Sequence, residues 1–242
     1  MGLLKTRGIV LHHIKYGDSS IITTIYTELH GRQSYMVNGV HSKKSKFRQA
    51  IFQPLSLLEM EVYFKNNRDI QRIKEAKPLA PFINIPQDMI KTSICLFLAE
   101  ILYKTLYEEE SNAPLFNFLF KSIELLETET VGIENFHIFF LVKYSRFLGI
   151  LPDIKKLESD VYFDLRDGYF TGTIPFHGIY LDTDDSNILS DLLSMGYEDL
   201  HRLKISNIQR KKLLEQLIEF YYIHIDKMGE IKSHQILKEV FH

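Results

Sequence analysis

The strongest constraint on the fold is a change of hydrophobic period near residue 80. Before it, β-branched and aromatic residues fill five short runs with period-two patterning: TRGIVLHHIKY, SIITTIYTEL, RQSYMVNGV, LSLLEMEVYF and DIQRIKEA. In the fourth run Leu58, Met60, Val62 and Phe64 alternate with Leu57, Glu59, Glu61 and Tyr63, setting a buried face against a wet one. Turn-forming clusters separate the runs: Tyr16-Gly17-Asp18-Ser19, His30-Gly31 and Lys65-Asn66-Asn67-Arg68. Five short strands in so little chain leave open sheet edges unless the sheet closes. A five-stranded OB-fold β-barrel is therefore expected over residues 1–80.

Pro78, Pro81 and Pro86 punctuate the chain, and beyond them the period becomes helical. Between residues 88 and 107, Ile90, Ile94, Phe97, Leu98, Ile101 and Leu102 form a broad apolar stripe. Further helices are expected over 114–126, over 133–148 (stopped by Gly149 and Pro152) and over 207 to about 228. Ser206 caps the last of these, and its run Gln209-Arg210-Lys211-Lys212 is expected to face solvent. Asp184, Asp185 or Ser186 is the expected cap of a helix beginning near Ile188. One stretch breaks the helical pattern: VYFDLRDGYFTG is a β-hairpin turning at Arg166-Asp167-Gly168. The expected fold class is α+β. A barrel domain over 1–80 precedes an all-helical domain over 81–242, with a small hairpin insertion at about 160–174.

Charge divides the chain at the same place. Residues 1–80 carry 13 Lys+Arg against 6 Asp+Glu, and residues 81–242 carry 16 against 25, so a formal net charge of -2 conceals regions of +7 and -9. Such asymmetry points to a basic module that meets a polyanion. Its sharpest feature is NGVHSKKSKFRQA, where Lys43, Lys44, Lys46 and Arg48 fall within six residues with no acid among them. Together with Lys15, Arg32, Arg68 and Arg72 they are the candidates for phosphate contact. Tyr16, Tyr26, Tyr35, Phe47 and Tyr63 are candidates for base stacking, or for the barrel core, since alternation buries half of them whatever the function.

Other chemistries find little support. The single cysteine, Cys95, lies in an apolar helical stretch; it forms no internal disulfide, rules out zinc sites needing two thiolates, and reads as core packing. Ten histidines show no His-Glu-x-x-His pattern, and LDTDDSN places Asn187 and Leu193 where a calcium loop needs glycine and glutamate. Walker-type glycine loops and Gly-x-Ser-x-Gly elbows are missing. The start of the chain lacks the apolar run and cleavage site of a signal peptide, and no stretch approaches about 18 apolar residues. The expectation is a cytoplasmic protein without membrane attachment.

The residues in order resemble the bacterial recombination mediator family RecO. The opening LLKTRGIVLHHIKYGDSSIITTIYTELHG, the basic stretch NGVHSKKSKFRQAIFQPLSLLEMEVY, then EEESNAPLF, LGILPD and GEIKSHQILKEVF follow one another as that family's landmarks do, over nearly the whole chain. The resemblance implies a cytoplasmic, nucleoid-associated protein without catalytic turnover, expected as a monomer. It would bind single- and double-stranded DNA, anneal complementary strands, and work with RecR to place RecA on strands coated by single-strand-binding protein. It gives Lys43, Lys44, Lys46 and Arg48 the role of DNA contact. It also implies that the acidic, hydrophobic-ended tail of single-strand-binding protein docks on the helical domain, where Lys143 or Arg146 would supply the cation unless both are simply solvated. Many family members carry two Cys-x-x-Cys pairs for a structural zinc after the position of LGILPD. Residues 154–182 contain no cysteine, so no zinc or other cofactor is expected, and the hairpin packed by Tyr162, Phe163, Tyr169 and Phe170 takes its place. Two alternatives stand beside this reading: a protein-interaction scaffold built on the barrel, and a metal-dependent nuclease.

Overall fold

The protein is described by a computed structural model over residues 2–40, 49–153 and 161–241. It forms two compact units, residues 1–128 and 129–242.

The first unit opens with β1 (Gly2–Tyr16), β2 (Ser20–Thr27), β3 (Gly31–Val37), β4 (Leu57–Phe64) and β5 (Ile70–Pro78), closed into a barrel in the order β1-β2-β3-β5-β4. Only β3 and β5 run parallel. The expected five-stranded OB-like barrel is thus present. Closure depends on β1, whose 15 residues serve two neighbours: its first half pairs with β4 from Gly2↔Phe64 to Ile9↔Leu57, and its second with β2 from Gly8↔Thr27 to Tyr16↔Ser20. A register shift between Val10 and His12 bends the strand from one partner to the other. Followed from partner to partner, Ile14, Ile22, Met36, Arg72 and Tyr63 lead back to β1 at Leu3, eleven residues from the start. Strand stagger of this kind is what closing a small sheet demands.

Inside the ring, Val10, Ile25, Tyr35, Phe52, Met60 and Val62 pack as one buried cluster. Tyr35, a stacking candidate, is therefore core. Tyr26, another, is equally buried and lies against Phe116, with ring centroids 6.3 Å apart. Alternation has turned one inward and left the other beneath a helix.

Two helices complete this unit, α1 (Met89–Thr105) and α2 (Ala113–Thr128). Asp88 caps α1 by accepting from the backbone N–H groups of Ile90 and Lys91. The Glu127 carboxylate accepts from the N–H groups of Ile83, Asn84 and Ile85, and the buried Lys91 ammonium donates to the Glu127 carbonyl. The proline-rich link is thereby tied down. Arg7 forms a two-pronged pair with Glu28, at 2.9 and 2.7 Å, while its guanidinium lies about 5 Å from the rings of Phe116 and Phe120. Such contacts make α1 and α2 part of one compact body with the 1–80 segment.

The second unit contains α3 (Phe136–Tyr144), a small sheet of β6 (Tyr162–Asp164), β7 (Tyr169–Thr171) and β8 (Tyr180–Leu181), then α4 (Thr183–Ser194), α5 (Asn207–His224) and α6 (His234–Val240). The hairpin is where the sequence puts it, with β8 as a third strand beside β6. Several details differ from expectation. The α-helix at 133–148 is shorter, because Ile133–Asn135 is a 3₁₀ turn. Asp182, rather than a later residue, caps α4 by accepting from the Asp185 N–H. Ser206 does cap α5, but Ile225 is extended and ends it at His224. The basic run of α5 is not uniformly solvated: Arg210 is 5% exposed, and Lys212 bridges Asp182 and Asp185. In the small sheet Phe163 and Phe170 are buried, with Phe163 also close to Phe220, whereas Tyr169 is exposed.

The small sheet falls in the stretch where the resemblance raised the question of a structural zinc. Buried Asp164 accepts from the N–H groups of Arg166 and Asp167 and lies 3.0 Å from His177 Nε2, while His177 Nδ1 accepts from the Ile179 N–H. Those bonds already occupy the two side chains. Among the described residues no three His, Cys, Asp or Glu side chains are grouped to hold a metal ion, so the donor set does not fit zinc.

Candidate nucleic-acid interface

Of the 13 cations in residues 1–80, Lys43, Lys44, Lys46 and Arg48 lie outside the described residues, as does Phe47. The other nine sort by what they touch. Lys5 and Lys74 flank Glu61 at 3.5 and 2.8 Å, and Lys77 meets Glu59 at 2.6 Å. Cross-strand pairing sets this ladder up, since Lys5, Glu61 and Glu75 share one row and Arg7, Glu59 and Lys77 the next. Hydrogen bonds from Lys74 and Lys77 hold Glu61 and Glu59 below the usual carboxylate range. That face is self-neutralised.

Arg7 is occupied by Glu28. Arg32, a candidate for phosphate contact, has a different employment: its Nη1 donates to the carbonyls of Tyr103 at 2.8 Å and Leu106 at 2.5 Å, and its guanidinium lies 4.7 Å from the Tyr103 ring. It satisfies carbonyls at the end of α1 that the helix itself leaves open. The Arg32 guanidinium is thus committed to backbone acceptors of its own unit.

Four described cations of the barrel remain: Lys15, Lys65, Arg68 and Arg72. None of them forms an ion pair with a described carboxylate. Lys15, Arg68 and Arg72 are exposed, and Lys65 is half-buried. Arg72 stands on β5 with Met36 and Tyr63 as its cross-strand partners. Lys65 and Arg68 occupy the turn between β4 and β5, and Lys15 lies near the end of β1. The exposed Tyr16 and half-buried Tyr63 are the stacking candidates left at the surface.

A residue that the sequence reading passed over fixes the turn. Buried Gln71 alternates with Arg72 and points inward. Its Oε1 accepts from the Lys65 N–H at 3.0 Å, and its Nε2 donates to the carbonyls of Lys65 and Arg68, each at 2.8 Å. Glutamine in a run of alternating residues gives no warning of this, because its partners lie outside the strand. Gln71→Ala is expected to leave those backbone groups without partners and to cost about 2 kcal/mol, read as a lower urea midpoint.

In the second unit, Lys143 and Arg146 part company. The Lys143 ammonium donates to the Leu193 carbonyl at 3.0 Å and lies 5.3 Å from the Phe139 ring; burial pushes its pKa down. Arg146 is exposed just beyond α3. Cys95 is fully buried beside the Pro54 carbonyl, its thiol pushed up to about 12 by burial, which makes it inert. No helix among the described residues is long and apolar enough to cross a membrane.

These features define the class: an α+β protein with an N-terminal OB-like barrel and a helical half carrying a three-stranded insert. Family models described as Recombination protein O N terminal and Recombination protein O C terminal match residues 1–82 and 86–234. The chain is 42% identical to the DNA repair protein RecO of Bacteroides fragilis over 240 residues, covering 99% of each. It is 39% identical to that of Phocaeicola vulgatus over 239 residues, again 99% of each, and 36% identical to that of Flavobacterium psychrophilum over 240 residues, 98% of this chain and 99% of the relative. The chain belongs to the RecO family of DNA repair and recombination proteins, whose members are mediators rather than enzymes.

Proposed function

We propose that this protein binds single- and double-stranded DNA through its barrel, anneals complementary strands, and acts with RecR to place RecA on DNA coated by single-strand-binding protein. The observation that carries the reading is the uneven spending of charge. On one side of the barrel every described cation has a carboxylate, while Lys15, Lys65, Arg68 and Arg72 have none. Unpaired cations neutralise phosphates and release condensed counterions, which lowers repulsion between two strands brought together. Lys43, Lys44, Lys46 and Arg48 would add to that surface, and Arg146 is the remaining exposed candidate for the tail of single-strand-binding protein.

The test is a titration of a fluorescent oligonucleotide at several salt concentrations. Contact with about 3 to 5 phosphates of a single strand gives a slope of log K against log salt of roughly -2 to -4. Changing Lys43, Lys44, Lys46 and Arg48 to Ala should flatten that slope, and Arg68→Ala with Arg72→Ala should flatten it further. Saturable binding with an unaltered slope in both variants would reject these residues as the contact surface. Absence of saturable binding at moderate salt would favour the scaffold reading.

A further inference from the structure

Alternation along β6 puts Phe163 into the core and turns Asp164 to the opposite face, yet Asp164 is only 3% exposed. The His177 ring lies against it, carried by the chain that returns from β7 to β8. That return, residues 172–179, holds no buried residue: Ile174 and Phe176 are exposed, and Ile179 is half-buried. Apolar burial therefore does little to fix it. An ion pair of its own cannot, since residues 168–181 contain no Lys, Arg, Asp or Glu. Hydrogen bonds carry it instead. His177 Nε2 reaches the Asp164 carboxylate at 3.0 Å, and the Ile179 carbonyl accepts from the Leu165 N–H at 3.2 Å.

The neighbours of that contact fix its chemistry. His177 Nδ1 accepts from the Ile179 N–H at 3.1 Å, which leaves the ring proton on Nε2 to be donated to Asp164 Oδ2. Asp164 Oδ1 accepts from the Arg166 and Asp167 N–H groups at 2.9 and 3.0 Å. One buried carboxylate thus gathers donors from two segments, the 164–167 turn and the 177–179 return, much as a structural metal gathers ligands. Zinc would have to break this set. A histidine ligand must offer a bare ring nitrogen, both nitrogens of His177 are engaged, and no cysteine in residues 154–182 offers a thiolate. We infer that the Asp164–His177 pair is a metal-free pin, which locks the return from β7 to β8 onto the β6–β7 turn and so keeps Ile174 and Phe176 displayed in solvent. The display follows from where His177 stands. A freed loop would lay its apolar side chains against the unit, because apolar surface gains by leaving water. The inward hold on His177, next in the chain to Phe176, opposes that collapse.

The experiment uses the full chain and no DNA, so its outcome is independent of the DNA-binding reading above. Two variants release the pin. His177→Ala removes a half-buried ring without touching the core, and Asp164→Asn keeps an acceptor for Arg166 and Asp167 while setting an amide N–H against the ring. Amide exchange at Ile179 and Leu165 should become at least about 10-fold faster in both, as expected when a hydrogen bond to a buried charge is lost, with the amides of α3 and α5 unchanged. The chain has no tryptophan, so Phe176→Trp adds a single reporter at the tip. Its indole should be freely quenched by acrylamide in the pinned chain and become shielded when His177→Ala is added. After exposure to zinc chloride and dialysis, the native chain should retain far less than one zinc per molecule, and EDTA should leave its exchange unchanged. Exchange unaltered in both variants would overturn the pin, as would one retained zinc whose removal speeds exchange. An indole equally exposed with and without His177 would overturn the display of the tip.

Discussion

Gly31→Ala is expected to destabilise the first unit by about 3 to 5 kcal/mol, more than any other single change considered for the barrel. Two independent costs add. Gly31 has φ +57°, in the left-handed region, where a side chain costs roughly 1–2 kcal/mol. A Cβ at this position would also stand 2.4 Å from the Glu110 carbonyl oxygen and 2.5 Å from that of Glu108. These are backbone atoms, which cannot swing away as a side-chain tip can. Moving them would strain the Arg32 N–H bond to the Glu108 carbonyl and the Ser111 hydroxyl bond to the Glu28 carbonyl. Gly17→Ala separates the two costs, since Gly17 has φ +63° and open space where its Cβ would go. Urea unfolding should show the Gly17 variant losing only the conformational part. A Gly31 variant no less stable than its Gly17 counterpart would show that the loop at 108–110 yields freely.

The contrast also shows what the sequence could and could not disclose. Gly31 is legible as a turn residue after His30, but the carbonyls that crowd it lie some 80 residues further on. Alternation exposed the five strands because each strand buries one face, and that signal is local. Which barrel cations remain unpaired is not local. Arg32 looks like any other cation until its acceptors arrive from 71 and 74 residues away. Arg210 sits in a run that reads as solvated, yet its Nε donates to Asn135 Oδ1 at 2.9 Å, 75 residues back. Tyr26 and Tyr35 show the limit of alternation, which names two faces without saying whether a helix covers the outer one. The closing path of the barrel through Ile14, Ile22, Met36, Arg72, Tyr63 and Leu3 is legible only once register is known, because its six members come from five strands and are scattered from residue 3 to residue 72.

The second unit should lose stability on mild acidification, and His137 is the cause. Its ring is buried within α3 and stacks on Phe241 at 5.3 Å. Burial first, and the Arg210 cation second, push its pKa down to about 3 from the ordinary 6.5. The folded chain therefore keeps His137 neutral at pH values where the unfolded chain takes up a proton. Stability from this residue is complete above about pH 6.5 and is lost as pH falls from there toward 3. At pH 5 the loss is about 2 kcal/mol, at 1.36 kcal/mol per pH unit below 6.5. Carboxylates held low by partners, such as Glu28 beside Arg7 and Asp182 beside Lys212, contribute their own losses only further into acid, as pH falls through their depressed values. His12 and His30 are also shifted down by burial, so the informative quantity is a difference between proteins. His137→Leu keeps an apolar group against Phe241 and removes the titration. Urea unfolding at pH 7 and pH 5 should show the native chain losing about 2 kcal/mol more than this variant, and equal losses in the two would mean that His137 accepts its proton without the unit opening.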